Sequence, residues 1–280
     1  MSQRSVLITG CSSGIGYCVA HGLKKRGYRV FATARQAEDV QHLQAEGLES
    51  IVLDLDDSES IKQAVKYVLS ETQGQLYALF NNGAFGQPGA VEDLSRTVLR
   101  QQFETNFLGT HELTCLILPA MRQQGEGRII QNSSVLGLIT LPYRGAYNAS
   151  KFALEGLSDT LRLELMETDI HVSLIEPGPI TSDFRINAYK KFTQNIDAKH
   201  SAHHENYHNM QQRFDSKDDT AFTLPAEAVL EKVIHALESS RPKVRYYVTF
   251  PTYLFATLRR FLPHSWLDWV LYRVSGKGRN

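Results

Sequence analysis

Val6-Leu7-Ile8 runs without a break into Thr9-Gly10-Cys11-Ser12-Ser13-Gly14-Ile15-Gly16, and then into a stretch where Val19, Ala20 and Leu23 recur at helical spacing. A short all-apolar run is what a strand covered on both faces looks like. Strand, glycine-rich turn and helix in that order form the first half of a dinucleotide-binding fold. Gly10 permits the tight turn, Gly14 and Gly16 let backbone and helix approach closely, and the helix N-terminus faces a pyrophosphate.

The rest of the chain repeats the alternation. Val30-Phe31-Ala32-Thr33 reads as a second strand, Ile51-Val52-Leu53-Asp54 as a third and Leu76–Phe80 as a fourth ending in Asn81-Asn82-Gly83-Ala84. Arg128-Ile129-Ile130 enters a fifth strand that ends at Asn132-Ser133-Ser134, Val172–Ile175 is a sixth running into Glu176-Pro177-Gly178-Pro179, and Val244–Thr249 is the last. Strands separated by helices of ten or more residues imply a parallel sheet with right-handed crossovers. The expectation is an α/β chain: one Rossmann-like, doubly wound domain over residues 1–280, with about seven parallel strands and helices on both faces.

Local choices are marked along the way. Ala34-Arg35 closes the second strand roughly 20 residues beyond the glycine loop, where a carboxylate would select NAD and an arginine accommodates a 2′-phosphate. Arg35 has the planar fork that suits phosphate oxygens, so NADP(H) is expected over NAD(H). Asp54 either edges the adenine pocket or begins a helix capped by Ser58 and continued by Ile61, Ala64, Val65 and Val68. Asn81 and Asn82 either tie down neighbouring backbone or line the crevice. A long helical region spans about Ser95 to Gln124, and Asn106 in its middle holds a water, kinks the helix or faces solvent.

Charge and composition narrow the function. Lys+Arg and Asp+Glu are both 30 in 280 residues, without the basic excess of a nucleic-acid binder. Cys11, Cys18 and Cys115 are few and have no metal-type spacing, and no apolar stretch is long enough to span a bilayer. A cytoplasmic protein is expected.

Tyr147-Asn148-Ala149-Ser150-Lys151 carries the chemistry. Tyr147 and Lys151, four apart, share one face of a helix that Phe152, Ala153, Leu154, Leu157 and Leu161 continue. A lysine charge ~4–5 Å away at an effective dielectric near ~20 supplies roughly 3–4 kcal/mol toward the phenolate, about 2–3 pK units before desolvation opposes it. That would bring the tyrosine close to working pH, where proton donation to a carbonyl oxygen is efficient.

Taken together, these motifs resemble the short-chain dehydrogenase/reductase family over roughly residues 5–182. The matches are TGxxxGxG at Thr9–Gly16, Asp54 after the third strand, the strand-four asparagine motif, Asn106, Ser134, YxxxK at Tyr147 and Lys151, and Pro177-Gly178. Chain length, Arg35, the VSLIEPGPI run and the carboxyl-terminal extension look like the retinol- and hydroxysteroid-dehydrogenase-like branch, close to a bacterial NADP-dependent aldehyde reductase. The resemblance implies that Tyr147 gives a proton to the carbonyl oxygen, Lys151 holds the nicotinamide ribose, Ser134 hydrogen-bonds the substrate oxygen and Asn106 keeps a water for a proton relay. It further implies that Gly10, Ser12, Ser13, Gly14, Ile15 and Gly16 line the phosphates. Asp54 and Leu55 would border the adenine, Asn82 and Gly83 its ribose side, and Ile180 the carboxamide, beside Pro177, Gly178 and Ser182. Two departures stand out. The usual Asn-Asn-Ala-Gly order is Asn81-Asn82-Gly83-Ala84, and Ser182 replaces a threonine.

Beyond the motifs, residues 183–224 are polar and are expected to form an irregular, mobile lid over the substrate. His200 and His204 have a metal-like spacing without supporting ligands, and no metal is expected. The tail from Pro251 combines Tyr253, Leu254, Phe255, Phe261, Trp266, Trp269 and Leu271 with Arg259, Arg260 and Arg273. It either packs as a helix pair on its own domain or on a dimer partner, or rests on a membrane surface. The leading function is NADPH-dependent reduction of an apolar aldehyde or ketone. The alternatives are a dehydrogenase of steroid- or retinol-like alcohols and, in another class, a non-catalytic NADP-binding sensor or scaffold. Family habit suggests a dimer or tetramer through the helices at about Ser95–Gln124 and Arg144–Glu167.

Overall fold

The structure, a computed structural model, describes residues 3–215 and 221–276. Seven strands form one sheet, β1 (Ser5–Ile8), β2 (Arg29–Ala34), β3 (Glu49–Val52), β4 (Ala78–Asn81), β5 (Glu126–Asn132), β6 (Asp169–Glu176) and β7 (Arg245–Tyr247). Their order is β3-β2-β1-β4-β5-β6-β7, with every pair parallel. The order reverses direction between β1 and β4, so the loops after these strands splay apart and open a crevice at the carboxyl edge.

Period-two alternation assigns the two faces. Val6 and Ile8 of β1 point to the side covered by α1 (Gly14–Lys25), α2 (Ala37–Ala45) and α9 (Glu227–Glu238), where Val19, Leu23, Leu43, Val229 and Val233 are fully or almost fully buried. Leu7, with Phe31, Leu79 and Ile129, points to the other side. There α3 (Ser58–Glu71) and α5 (Thr110–Gln124) supply Ile61, Val65, Leu113 and Ile117, and α6 (Gly145–Glu164) adds Leu161.

Several boundaries differ from the sequence expectation. β3 ends at Val52, so Leu53 and Asp54 belong to the following turn, where the Asp54 carboxylate accepts from Asp56 N at 3.1 Å. The cap of α3 is Asp57, whose carboxylate accepts from Glu59 N at 2.9 Å, while Ser58 donates sideways to Glu112. The 95–124 region is not one regular helix. α4 (Arg96–Phe103), capped by Ser95, widens into a π-turn at Glu104–Gly109 before α5 begins. The last strand is shorter than expected, because Thr249 already caps α10 (Phe250–Phe261).

The expected lid is more ordered than its polar sequence implies over residues 183–215 and 221–224, while its positions 216–220 lie outside the described residues. α7 (Phe184–Asn195) and α8 (His204–Asp215) pack together through Phe192, Ile196, Tyr207 and Met210 against Ala90. The Tyr207 hydroxyl donates to Asp93 and accepts from Ala90 N at 2.8 Å. An aromatic cluster, unforeseen in a polar stretch, is what gives these helices a core.

The tail folds back as α10 and α11 (His264–Val274). Phe255, Leu267 and Leu271 close over Ile139 in the loop that follows β5, and Arg259 donates to the Leu138 carbonyl at 2.5 Å. Among the described residues no helix is long and apolar enough to cross a membrane. Leu267→Ala should lower unfolding free energy by about 2–5 kcal/mol in a denaturant titration, the cost of a cavity under a packed helix. A loss of a few tenths would mean that the tail contributes no core.

Candidate active site

α6 is the axis of the site. It starts where Gly89 N bonds Tyr143 O at 3.0 Å and Arg144 bridges to Gly89, so the loop after β4 sets its entry point. One stripe of this helix then carries Tyr147, Lys151 and Glu155 at successive turns, 8, 3 and 6 % exposed. Asn148, Ser150, Leu154 and Ser158 are buried beside them, so the polar residues sit inside the protein.

Ser134 comes to Tyr147 from β5. Extended backbone brings it out of the sheet, its Oγ accepts from Leu136 N at 3.1 Å, and its hydroxyl hydrogen-bonds the tyrosine phenol. Lys151 Nζ donates to the Asn132 carbonyl at 2.7 Å and stands 5.6 Å from the centre of the Tyr147 ring. The expected lowering of the phenol does not occur. Burial pushes Tyr147 up to about 12, against the Ser134 hydrogen bond, and burial brings Lys151 down to about 8, against the pull of Glu155. Both groups lose water, and the ammonium is spent on a carbonyl rather than on the phenol.

Asn106 does not face solvent, and the helix around it is irregular. It lies in the π-turn, 1 % exposed, with Oδ1 accepting from Phe85 N at 3.1 Å. Its Nδ2 donates to Phe85 O at 2.9 Å and to Ser150 Oγ at 3.2 Å. The π-turn is the local irregularity that lets the amide point inward. Its side chain braces the loop after β4 against α6.

The glycine loop is built for close approach to a ligand. Gly10 has φ +69°, and a Cβ there would meet Gly83 Cα at 2.8 Å. One on Gly16 would strike the Gly10 carbonyl and come within 2.7 Å of Asn82 Nδ2. Asn82 resolves its own alternatives by tying down backbone, donating to Thr9 O and Gly10 O, both at 3.0 Å, while Asn132 donates to its Oδ1 at 2.9 Å. Asn81 is farther inside and donates to Thr114 Oγ1 at 3.0 Å. Thr9 Oγ1 in turn accepts from Asn82 N and Gly83 N. The exchanged Gly83-Ala84 order costs no backbone strain, since neither residue has positive φ.

These features fit a dinucleotide. Ser12, Ser13, Gly14 and Ile15 surround the first turn of α1, whose Ser13 cap makes no side-chain bond and which holds no acid, leaving its amides open to an anion. Arg35 is exposed at the end of β2, with no hydrogen bond or ion pair among the described residues. Leu55 packs under Gly83, and Asp54 lies beside it. Across the crevice, the turn after Pro177-Gly178 brings Ser182 against Gly14, with Ser182 Oγ donating to Ile180 O at 3.3 Å. Ile180 itself bridges to Leu224.

Sequence reasoning passed over Phe184. Its ring meets the Tyr147 ring edge-on at 5.4 Å and comes so near Gly86 that a side chain there would collide with it at 2.8 Å. The signal available was an aromatic two residues beyond Ser182. The lid histidines pair separately, His200 with Asp197 at 2.7 Å and His203 with Glu92 at 2.6 Å. Among the described residues no three metal-binding side chains converge.

Fold and site together define a Rossmann-like oxidoreductase. The short chain dehydrogenase family model matches residues 4–192, and the chain belongs to that family. It is 45% identical over 269 residues to the uncharacterized oxidoreductase YbbO of Escherichia coli K12, covering 96% of this chain and 94% of that one. It is also 40% identical over 194 residues to human retinol dehydrogenase 8, covering 65% and 61%. Among solved structures, a short-chain dehydrogenase from Streptomyces avermitilis superposes with a TM-score of 0.77 at 25% identity, covering 100% and 99%. An actinorhodin polyketide ketoreductase with NADPH superposes with a TM-score of 0.69 at 26% identity, covering 88% and 95%.

Asn82→Ala should leave the Thr9 and Gly10 carbonyls without their donor. A loss of about 1–3 kcal/mol in unfolding free energy is expected, together with roughly tenfold weaker dinucleotide binding by fluorescence titration. Unchanged affinity would remove the brace from the cofactor loop.

Proposed function

We propose that the protein is an NADP(H)-dependent reductase of apolar aldehydes or ketones, working in the cytoplasm. The observation that carries this reading is the meeting of the Tyr147 and Ser134 hydroxyls, both buried, at the carboxyl edge of the sheet beside the glycine loop. A nicotinamide bound beside the glycine loop would supply the hydride. Tyr147 donates its proton to the carbonyl oxygen, and its raised pKa keeps that proton in place until the oxygen becomes basic. Ser134 donates a second hydrogen bond to the same oxygen. Lys151, charged and buried, orients a sugar hydroxyl and favours the phenolate left after transfer. The Asn106 amide is committed to Phe85 and Ser150, which leaves its main-chain carbonyl in the π-turn to keep the relay water. Proton donation by a placed side chain is worth about 10²–10⁴-fold. Tyr147→Phe should therefore lower kcat by at least about 10²-fold while NADPH binding, read by fluorescence, stays nearly intact. Retained turnover would refute the assignment.

The choice of NADP(H) rests on Arg35, free at the end of β2, and gains support from the ketoreductase bound to NADPH. kcat/KM with NADPH should exceed that with NADH by at least about tenfold, a difference that Arg35→Ala largely removes. Equal efficiencies in the unmutated enzyme would take Arg35 out of this role.

An apolar substrate is supported by Phe184 over Tyr147 and by the similarity to a retinol dehydrogenase. That similarity also favours a second reading, oxidation of a retinol- or steroid-like alcohol by the same residues in reverse. Leu99, Leu108, Leu163 and Met166, all exposed along 96–109 and 163–166, support a homodimer or tetramer through these helices. Peripheral membrane contact through the tail fits the same substrate class. Phe261, Trp266, Trp269 and Tyr272 are more than half exposed, and Arg260 and Arg273 lie among them. In liposome flotation the full chain should rise with anionic vesicles and Trp266→Ser/Trp269→Ser should stay behind. Equal partitioning of the two would sink the membrane contact.

A further inference from the structure

Behind Lys151 lies a group of charges that the reaction itself does not use. Arg245 reaches in from β7 and its Nη1 bonds two carboxylates at once, Glu155 of α6 and Glu176 Oε1 at the end of β6, the latter at 2.5 Å. Its Nη2 donates to Asp159 Oδ2 at 2.6 Å. The guanidinium thereby clamps the helix that carries Tyr147 and Lys151 to the strand end that leads into Pro177-Gly178. Glu155 sits one turn beyond Lys151, and Ser133 lies near it just past the end of β5. Asn132, next to Ser133, is the residue that accepts from Lys151 Nζ.

The two carboxylates are not equivalent. Glu176 is completely buried, and its Oε2 has no donor. Glu155 is slightly less buried, is met by Arg245, and lies one turn from the Lys151 charge. Two anions on one guanidinium nitrogen repel, so the pair is most stable with a single proton, and it rests on the carboxyl with the poorer partners. Burial pushes Glu176 up to about 8, the direction this requires. The other titratable or charged groups facing the cluster are Tyr147, Asp159 and Arg162 on α6 and Tyr247 on β7. Arg162 is 3.5 Å from Asp159 on the outer, half-wet side.

We propose that Glu155 is the counter-ion that keeps Lys151 charged, with Arg245 fixing Glu155 in place and Glu176 holding the proton that the carboxylate pair shares. Glu155 is thus a positioning residue, acting on the reaction only through Lys151. Its value to turnover rests on the reductase reading, whereas the ionisation of Lys151 can be measured in the unliganded protein.

The test follows the Lys151 side-chain resonance against pH in full-length protein carrying carbon-labelled lysine, assigned with Lys151→Arg. In the unmutated protein its midpoint should lie at about 8. Glu155→Gln removes the nearby anion, while Arg245 keeps Asp159 and Glu176 as partners, and the loss of that anion disfavours the ammonium. The Lys151 acid dissociation constant should rise at least about tenfold. Glu176→Gln replaces a neutral acid by a neutral amide and should leave the midpoint in place. An unmoved midpoint in Glu155→Gln, or equal movement in both variants, overturns the proposal. Absence of carbonyl reduction alongside the expected shifts would reject the reductase reading alone.

A second measurement covers the case in which Glu155→Gln does not fold. Glu176 has a folded pKa above its unfolded value, so the stability it contributes is complete below the ordinary carboxyl value of 4.5 and is lost as pH rises through about 8. Unfolding free energy of the unmutated protein should fall across that window, and Glu176→Gln should flatten the fall. Identical slopes would place the proton elsewhere and overturn the assignment.

Discussion

A buried ammonium with a single hydrogen bond among the described residues governs the rest of this structure. Lys151 Nζ donates to the Asn132 carbonyl at 2.7 Å, and hardly any of its side chain touches water. An ion taken out of water needs partners from every direction, and the surrounding elements supply them. β5 ends at Asn132 so that its carbonyl is free for the lysine. β6 ends in Glu176 and β7 begins with Arg245, whose guanidinium bridges Glu176 and the Glu155 carboxylate one turn below. Two parallel strands finish on this polar patch, a third contributes its first residue to it, and α6 lies across it.

The same site illustrates why a pairwise electrostatic argument fails at a buried centre. A lysine near a tyrosine would, in a uniform medium, make the phenol more acidic. Here both are desolvated and the lysine points to a neutral acceptor, so burial dominates and the two pKa values move apart, the phenol up and the ammonium down. The spacing of Tyr147 and Lys151 says that they share a face. It does not say which atom the ammonium faces.

Legibility in the chain follows the range of the forces involved. The strand, glycine-loop and helix succession is local, and it could be read directly, as could the meeting of Ser134 with α6 once the motifs were recognised together. The π-turn at Glu104–Gly109 escaped, because its cause is Asn106 bonding Phe85, twenty-one positions away. The helical lid escaped for a similar reason. α7 and α8 are weakly amphipathic alone, and they are held by Phe192, Tyr207 and Ala90 from separate parts of the chain. Asn81 and Asn82 could not be told apart beforehand, since their roles depend on whether Thr114 or Thr9 lies opposite.

The order of residues alone determined the alternation of elements, the glycine loop with its arginine at the end of β2, and the helical register of Tyr147, Lys151 and Glu155. These depend on backbone sterics and periodicity, which act between near neighbours. Only the folded chain decided that Glu155 meets Arg245, that Phe184 covers Tyr147, and that the apolar tail closes over Ile139 beside the Ser134 loop. Those pairings join residues as much as 132 positions apart, as Ile139 is from Leu271. At such distances packing and desolvation, summed over the whole interior, select the partners.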